Sequence, residues 1–262
     1  MTEAEDKIII KTPAEIDLMR TSGRLLASVF DMLDGKMRAG ITTMEINDCV
    51  ERFIVDDLDS RPASKGQYGF KYVLNTSINE VVCHGVPSLT KKLREGDIIN
   101  CDITLEKNGF IADSSKMYMI GTVKPLAKKL VCVTYEAMWL GIKAVKPNAT
   151  LGDVGHAVEK HAKLHGFTVV RDYCGHGIGR QMHEAPEVTH YGKPNSGEVL
   201  KPGMTFTIEP MINQGTDKIK HKKDGWTVVT RDKKLSAQWE HTILVTEQGY
   251  EVLTLRDDET IG

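Results

Sequence analysis

Four carboxylates and one imidazole, in the chain order Asp102, Asp113, His176, Glu209 and Glu240, fall in strand-like segments: NCDITLE, FIADSSKMY, YCGHGIGR, FTIEPMI and SAQWEHTILV. A carboxylate in an apolar stretch is costly unless something positive pairs with it. No Lys or Arg in these segments occupies an alternating position that would face those carboxylates. A donor set of this composition suits two divalent metal ions with carboxylates bridging between them, and paired ions of that kind perform hydrolysis.

Taken one at a time the residues say less. Asp102 and Asp113 flank a hairpin turn at Asn108-Gly109, which places them directly or diagonally opposite one another on one face. Two like charges so close repel unless one is protonated or a cation lies between them; the plain alternative is a pair of exposed hairpin aspartates. His176 sits in CGHGIG, where small neighbours let other groups approach the ring, and no glycine follows at the spacing of a dinucleotide fingerprint. His183-Glu184 opens an HExxH pattern that fails, because Glu187 stands where the second histidine should be and Pro186 interrupts a helix. Glu209, before Pro210, and Glu240, at the head of EHTILV, each read alone as strand-end carboxylates, and His84 in VVCHGVP as a turn histidine.

These residues must be positioned by elements that the sequence also marks. Thr12, Pro13 and Glu15 form a helix start, followed by Ile16, Met19, Leu25, Leu26, Val29 and Met32 mostly at helical spacing. A second helix is predicted at TTMEINDCVERFIVDDL. Strands dominate from Lys71 to Tyr118. A second helical pair follows, PLAKKLVCVTYEAMWLGIKAV and TLGDVGHAVEKHAKLHG with Gly166 as its stop, and strands and loops return from Thr168. Helices then strands, twice over, predict an α+β fold of two similar halves. No linker or low-complexity stretch divides the chain, so one domain over 1–262 is expected, with a short N-terminal extension over 1–11.

With 262 residues and a net charge of −2, the chain offers no electrostatic case for nucleic acid or a membrane surface as a main ligand. Its apolar runs stop well short of the roughly 20 residues that span a bilayer. The N-terminus is acidic where a signal peptide would be basic. Five cysteines, an odd number with no CxxC pair, argue against a disulfide framework and for a reducing cytoplasm. Cys83 and Cys174 lie beside histidines, but buried cysteine is usually inert packing rather than a nucleophile.

Together, VVCHGVP, NCDITLEKNGFIADSSKMY, YCGHGIGRQMHEAPEV, PGMTFTIEPM and DGWTVVTRDKKLSAQWEHTILVT resemble the motifs of the bacterial type I methionine aminopeptidases, in that family's order and spacing, from about Thr12 to Leu255. The resemblance implies the pita-bread fold, a pseudo-twofold α+β arrangement around an antiparallel sheet. It also implies two divalent ions per chain (Co, Mn, Fe, Zn or Mg). By position, Asp102 would chelate one ion and His176 the other, Asp113 and Glu240 would bridge, and Glu209 would ligate the histidine-side ion and shuttle a proton. His84 would contact the scissile nitrogen and His183 the substrate carbonyl. Phe70, Asn75, Met182 and Trp226 would form the methionine pocket. A monovalent cation, Na or K, would sit on backbone carbonyls near Asn79, Val81 and Ser236. The implied substrate is the N-terminal methionine of nascent chains with a small second residue, met by a cytoplasmic monomer in transient contact with the ribosome.

Departures from the resemblance gather in the pocket. Many bacterial relatives carry cysteines near Ser64 and Asn75, tyrosine near Gln67 and phenylalanine at Met182, so Tyr68, Phe70 or Tyr72 is expected to supply the wall of a divergent, second-copy member. Proline-specific peptidases share the ligand pattern, but usually with a further N-terminal domain, and SAQWEHT is the methionine-aminopeptidase form of the last motif. Type II enzymes carry a long insertion between the second histidine and the next glutamate, and only a short stretch separates His183 from Glu209. A catalytically silent pita-bread protein, binding peptides, ribosomes or nucleic acid, would be favoured by the loss of a ligand, and all five are present.

Overall fold

A computed structural model describes residues 7–259, so the expected extension is seen only from residue 7 and residues 1–6 lie outside the described residues. Helix α1 (Pro13–Asp34) starts as its sequence predicts. The Glu15 amide donates to Thr12 Oγ1 at 3.4 Å, and the Thr12 amide donates to Glu15 Oε2 at 3.0 Å. Thr42 and Glu45 repeat the device at α2 (Thr43–Arg52). Each such cap stabilises its helix by ~1 kcal/mol. The second helical run covers the predicted stretch but changes type within it: α2 passes without a break into a π-helical turn over Phe53–Asp57.

The first strands are β1 (Arg61–Pro62), β2 (Leu74–Ile78), β3 (Val81–Cys83), β4 (Ile98–Lys107) and β5 (Phe110–Met119). β4 and β5 form the expected hairpin. Asn108 and Gly109 carry φ of 54° and 80°, the left-handed pair that a two-residue turn needs. β1 and β2 pair with the other edge of β4, giving a four-stranded sheet. Leu26, Phe30 and Leu33 of α1, with Ile46 and Val50 of α2, bury against Leu74, Ile99, Ile103 and Leu105 of that sheet.

The second half repeats the scheme. Helices α3 (Pro125–Lys143) and α4 (Leu151–Leu164) come first, and Gly166 at φ 82° ends the run. The strands are β6 (Thr168–Val169), β7 (Gly175–Gly177), β8 (Glu184–Val188), β9 (Thr205–Ile208), β10 (Met211–Asn213), β11 (Ile219–His221), β12 (Val228–Thr230), β13 (Ser236–Gln238), β14 (His241–Val245) and β15 (Tyr250–Val252). Five of them form a sheet in the order β15-β14-β9-β7-β8. Met138, Ile142 and Val154 of the helices pack on its Phe206, Ile208 and Ile243. Two small sheets, β13-β10-β6 and β11-β12-β3, complete the structure, and all its strand pairings are antiparallel. The fold is α+β, as expected.

The two larger sheets meet through backbone. Ser115 of β5 and Glu240, just before β14, form an isolated bridge. Side chains reinforce the bridge: Ser114 Oγ donates to the carbonyl of Glu240 at 2.7 Å, and Asn100 Nδ2 of β4 donates to the carbonyl of Gln238, on the small-sheet strand β13, at 2.8 Å. This seam places one half's carboxylates against the other's.

Candidate active site

Of the two arrangements open to the hairpin aspartates, the register selects the diagonal one: Asp102 opposes Ser115 and Asp113 opposes Thr104. Each carboxyl group is close enough to perturb the other's titration. Asn75 on β2 donates to Asp102 Oδ2 at 3.3 Å. Thr242 of β14 holds the backbone of Asp113, its Oγ1 accepting from the Asp113 amide at 3.1 Å and donating to the Asp113 carbonyl at 2.7 Å. Because Thr242 and Glu240 share one short segment, the contact that fixes Asp113 also brings Glu240 beside it.

His176 enters from the short strand β7. A Cβ on Gly175 would lie 2.4 Å from the carbonyl oxygen of Thr207, and one on Gly177 would lie 2.1 Å from that of Ala185, so both flanking positions must be glycine for the strands to approach. The ring's Nδ1 lies 3.0 Å from the Gly177 carbonyl. A carbonyl only accepts, so Nδ1 carries the hydrogen and Nε2 presents its lone pair. That lone pair faces Asp113 Oδ2 at 3.8 Å and Glu209 Oε1 at 3.5 Å. Asp113, His176 and Glu240 bring one donor atom each into a cluster within 4.8 Å.

Burial dominates the electrostatics here. It pushes Asp102 up to about 6 and Glu209 up to about 8, and raises Asp113 and Glu240 well above the usual carboxylate range, with repulsion from neighbouring carboxylates adding to all but Asp102. Burial also drops His176 to about 3 and His84 to about 4, and lowers His183. Asp113 Oδ1 is buried with no hydrogen-bond partner. An imidazole lone pair aimed at two buried carboxylates, one with an orphaned oxygen, is a donor set suited to cations. Carboxylate and imidazole donors fit divalent ions of the Mn, Fe, Co or Zn type. The thiols beside the histidines do not compete as nucleophiles: burial raises Cys83 well above its ordinary value and Cys174 to about 11, which keeps both protonated.

Sequence reasoning missed the residues that hold Glu209. Thr207 Oγ1 donates to Glu209 Oε1 at 2.8 Å and accepts from the His176 amide at 3.0 Å. Gln238 Nε2 donates to Glu209 Oε2 at 3.3 Å, and buried, neutral His190 accepts from the Glu209 amide at 2.9 Å. Thr207 was findable, since residues two apart on a strand share a face. Gln238 and His190 had no local signal. Nor did Arg256, a fully buried cation near Glu240 from outside the segments that carry the candidate ligands. Its guanidinium is engaged by Ser114 at 3.0 Å and Glu259 at 2.9 Å rather than by the cluster.

The carboxylates floor a cavity of about 1270 Å³ also lined by His84, His183, Phe70, Asn75, Met182 and Trp226, so every predicted substrate-side residue reaches it. His84 packs edge-on to Tyr173 with ring centroids 5.4 Å apart, and His183 meets His176 at 4.4 Å. Phe70 stands edge-on to Trp226 at 5.0 Å. Of the three aromatics expected for the wall, Tyr68 and Phe70 line the cavity, while Tyr72 backs Phe70 at 5.6 Å. Ser64, Gln67, Asn75 and Met182 line it too, and Ser64 Oγ lies 2.6 Å from Thr104 Oγ1. Away from the cavity, the Ser236 amide donates to the Asn79 carbonyl at 2.8 Å, and Val81 opens the adjacent β3, so the three residues named for a monovalent cation are neighbours.

A sequence model of metallopeptidase family M24 matches residues 17–247. The chain belongs to that family. Within it, the chain is 50% identical over 254 residues to a methionine aminopeptidase of Salmonella typhimurium, covering 97% of this chain and 96% of that protein. Identity is 48% over the same length to the methionine aminopeptidase of Escherichia coli. A crystal structure of methionine aminopeptidase from Rickettsia prowazekii superposes with a TM-score of 0.93 at 46% identity, covering 95% of this chain and 100% of that one. A prolidase from Pyrococcus horikoshii shares the fold with a TM-score of 0.75 at 21% identity, this chain covering 65% of its length. This M24 peptidase is therefore a hydrolase of the bacterial type I methionine aminopeptidase group with the pita-bread fold, and membership implies divalent metal ions. Among the described residues no helix is long and apolar enough to cross a membrane.

Proposed function

We propose that this M24 peptidase removes the initiator methionine from nascent proteins, with two divalent ions held by Asp102, Asp113, His176, Glu209 and Glu240. The observation that carries the reading is the neutral His176 lone pair directed at the buried carboxylates of Asp113 and Glu209. Such ions, when bound, supply Lewis acidity that polarises a peptide carbonyl and lowers the pKa of water. The chain's own residues do the rest. Glu209, which as a ligand to the ions would be deprotonated, would accept a proton from the attacking water and pass it to the departing nitrogen. His84 approaches that nitrogen, and His183 hydrogen-bonds the carbonyl oxygen. Phe70, Met182 and Trp226 enclose the unbranched thioether, which packs well in an apolar slot.

The specificity reading follows from the same cavity. A small second residue is preferred, and the polar Ser64, Gln67 and Asn75 make the pocket that of a divergent member. The chain acts as one pita-bread domain over 1–262, a cytoplasmic monomer in transient contact with the ribosome, with a monovalent cation, Na or K, on the carbonyls near Asn79, Val81 and Ser236. The test is metal-stripped protein given Mn²⁺ or Co²⁺ and a Met-X-Ser peptide series. Regained cleavage of Met-Ala-Ser with two equivalents of metal is expected, and silence with every metal tried sinks the proposal. Side-chain preferences on Met-Ala and Met-Gly peptides identical to those of an ordinary bacterial member would remove the divergent-pocket idea.

A further inference from the structure

On the surface, outside the lining of the candidate active-site cavity, Glu136, His161 and His165 also converge. Glu136 lies on α3, His161 lies in the last turn of α4, and His165 is the residue that caps α4. One donor atom from each lies within 4.8 Å of the other two. His161 Nε2 is 2.8 Å from Glu136 Oε2, and the rings of His161 and His165 stand 4.6 Å apart, centroid to centroid. Spacing of four residues puts the two histidines on one face of the helix end.

We infer that this cluster is a second, mononuclear metal site that takes a borderline transition-metal cation, Zn²⁺ being the best match. Two imidazoles and one carboxylate are a three-ligand set that leaves the fourth position of a tetrahedron to water. Ligand atoms about 2.0–2.1 Å from a zinc ion stand roughly 3.3 Å from one another. The observed spread, from 2.8 Å to within 4.8 Å, therefore closes on an ion with small side-chain rotations. The rotations fall mainly to Glu136, which is exposed; both histidines are partly buried, the His161 side chain being 16% exposed.

The backbone beneath does not need to move. Leu130, Val133 and Ala137 of α3 and Val158 and Ala162 of α4 are buried in one core cluster, which fixes the spacing of the two helices. The carbonyl end of α4 adds a partial negative charge that favours a cation there. A surface depression of about 450 Å³ beside the cluster, bounded by Glu136, His161, Trp139 and Asp258, gives room for the water ligand. Opposing cations are at hand: Lys129 donates to the His165 carbonyl at 3.1 Å, and Lys143 borders the depression. They make this a weaker site than the central one. Bound there, the ion clips α3 to the end of α4.

The site is independent of the proposed chemistry, and its test keeps the two apart. Zn²⁺ is titrated into the metal-loaded enzyme under equilibrium dialysis with elemental analysis. Wild-type protein is expected to take up one equivalent more than a His161→Ala/His165→Ala variant, and Glu136→Gln to weaken that equivalent about tenfold or more. Peptidase activity should be unchanged in all three. The extra equivalent should persist in Asp113→Asn, whose central cluster is impaired. Zn²⁺ should raise the unfolding temperature of wild type more than that of the double variant, and should shift the imidazole NMR signals of His161 and His165. Equal uptake by wild type and double variant, or imidazole signals indifferent to Zn²⁺, overturns the inference.

Discussion

Glu209 and Tyr68 overlook the same cavity, yet they are held in unlike ways. Glu209 is buried and gripped by hydrogen bonds from Thr207 and Gln238, residues of two different sheets. Tyr68 is 75% exposed, stands in the left-handed region at φ 49°, and stacks on His183 with centroids 5.9 Å apart. The cavity floor is a polar network in which each carboxylate's position depends on another strand. Its wall is a set of aromatic side chains in edge contact, such as Phe70 with Trp226. Buried polar networks tolerate little change, because a lost partner strands a desolvated group. Apolar walls tolerate substitution at about the cost of the area lost. Change in this chain is therefore expected in substrate preference while the carboxylate floor stays intact.

The sharpest way to break that contrast is at the floor. Asp113→Asn is expected to lower kcat/KM by about 10³-fold or more and to reduce bound metal, measured by steady-state kinetics and elemental analysis. Full activity with full metal would remove Asp113 from the centre. Thr207→Val keeps shape but deletes the hydroxyl shared by His176 and Glu209. A loss of about 10–100-fold in metal affinity or kcat is expected with KM little moved, and an effect on KM alone would contradict the positioning role.

The wall should answer differently. Phe70→Ala is expected to cost ~1–3 kcal/mol in kcat/KM for methionine substrates, about 10–200-fold, with metal content unchanged. A fall in bound metal in that variant would show that floor and wall are one unit.

The smallest expected effect is on the pH dependence of stability. Folded, metal-free Glu209 keeps its proton up to about 8, against an ordinary value of 4.5. Between about 7.5 and 8.5, where unfolded histidines are already neutral, folded Glu209 therefore binds more protons than unfolded Glu209, and stability falls as pH rises. The buried histidines add no slope there. Depressed below 6.5, they are neutral in the fold throughout, and unfolded they have lost nearly all their protons by about 7.5. Denaturant titrations in chelator should show this decline, Glu209→Gln should flatten it, and added metal should oppose it. Stability rising across the window would contradict the assignment.

Local signals in the chain determined a good deal. Thr12 with Glu15 and Thr42 with Glu45 start helices, Asn108-Gly109 closes the central hairpin, and the glycines around His176 mark a close approach of strands. Each works because the relevant physics is a hydrogen bond or a φ angle within a few residues. The candidate ligands were legible as a set, through their order and their place in apolar strands. Their partners were not. Whether Asp102 and Asp113 face each other squarely or diagonally was left to strand register. The grip of Gln238 and His190 on Glu209, the hold of Thr242 on Asp113, and the burial of Arg256 behind Glu240 all arise between residues far apart in the chain. The same is true of the meeting of Glu136 with His161 and His165. Only packing brings such groups together, because burial and cross-strand contact belong to the folded surface between elements and leave no period in the sequence.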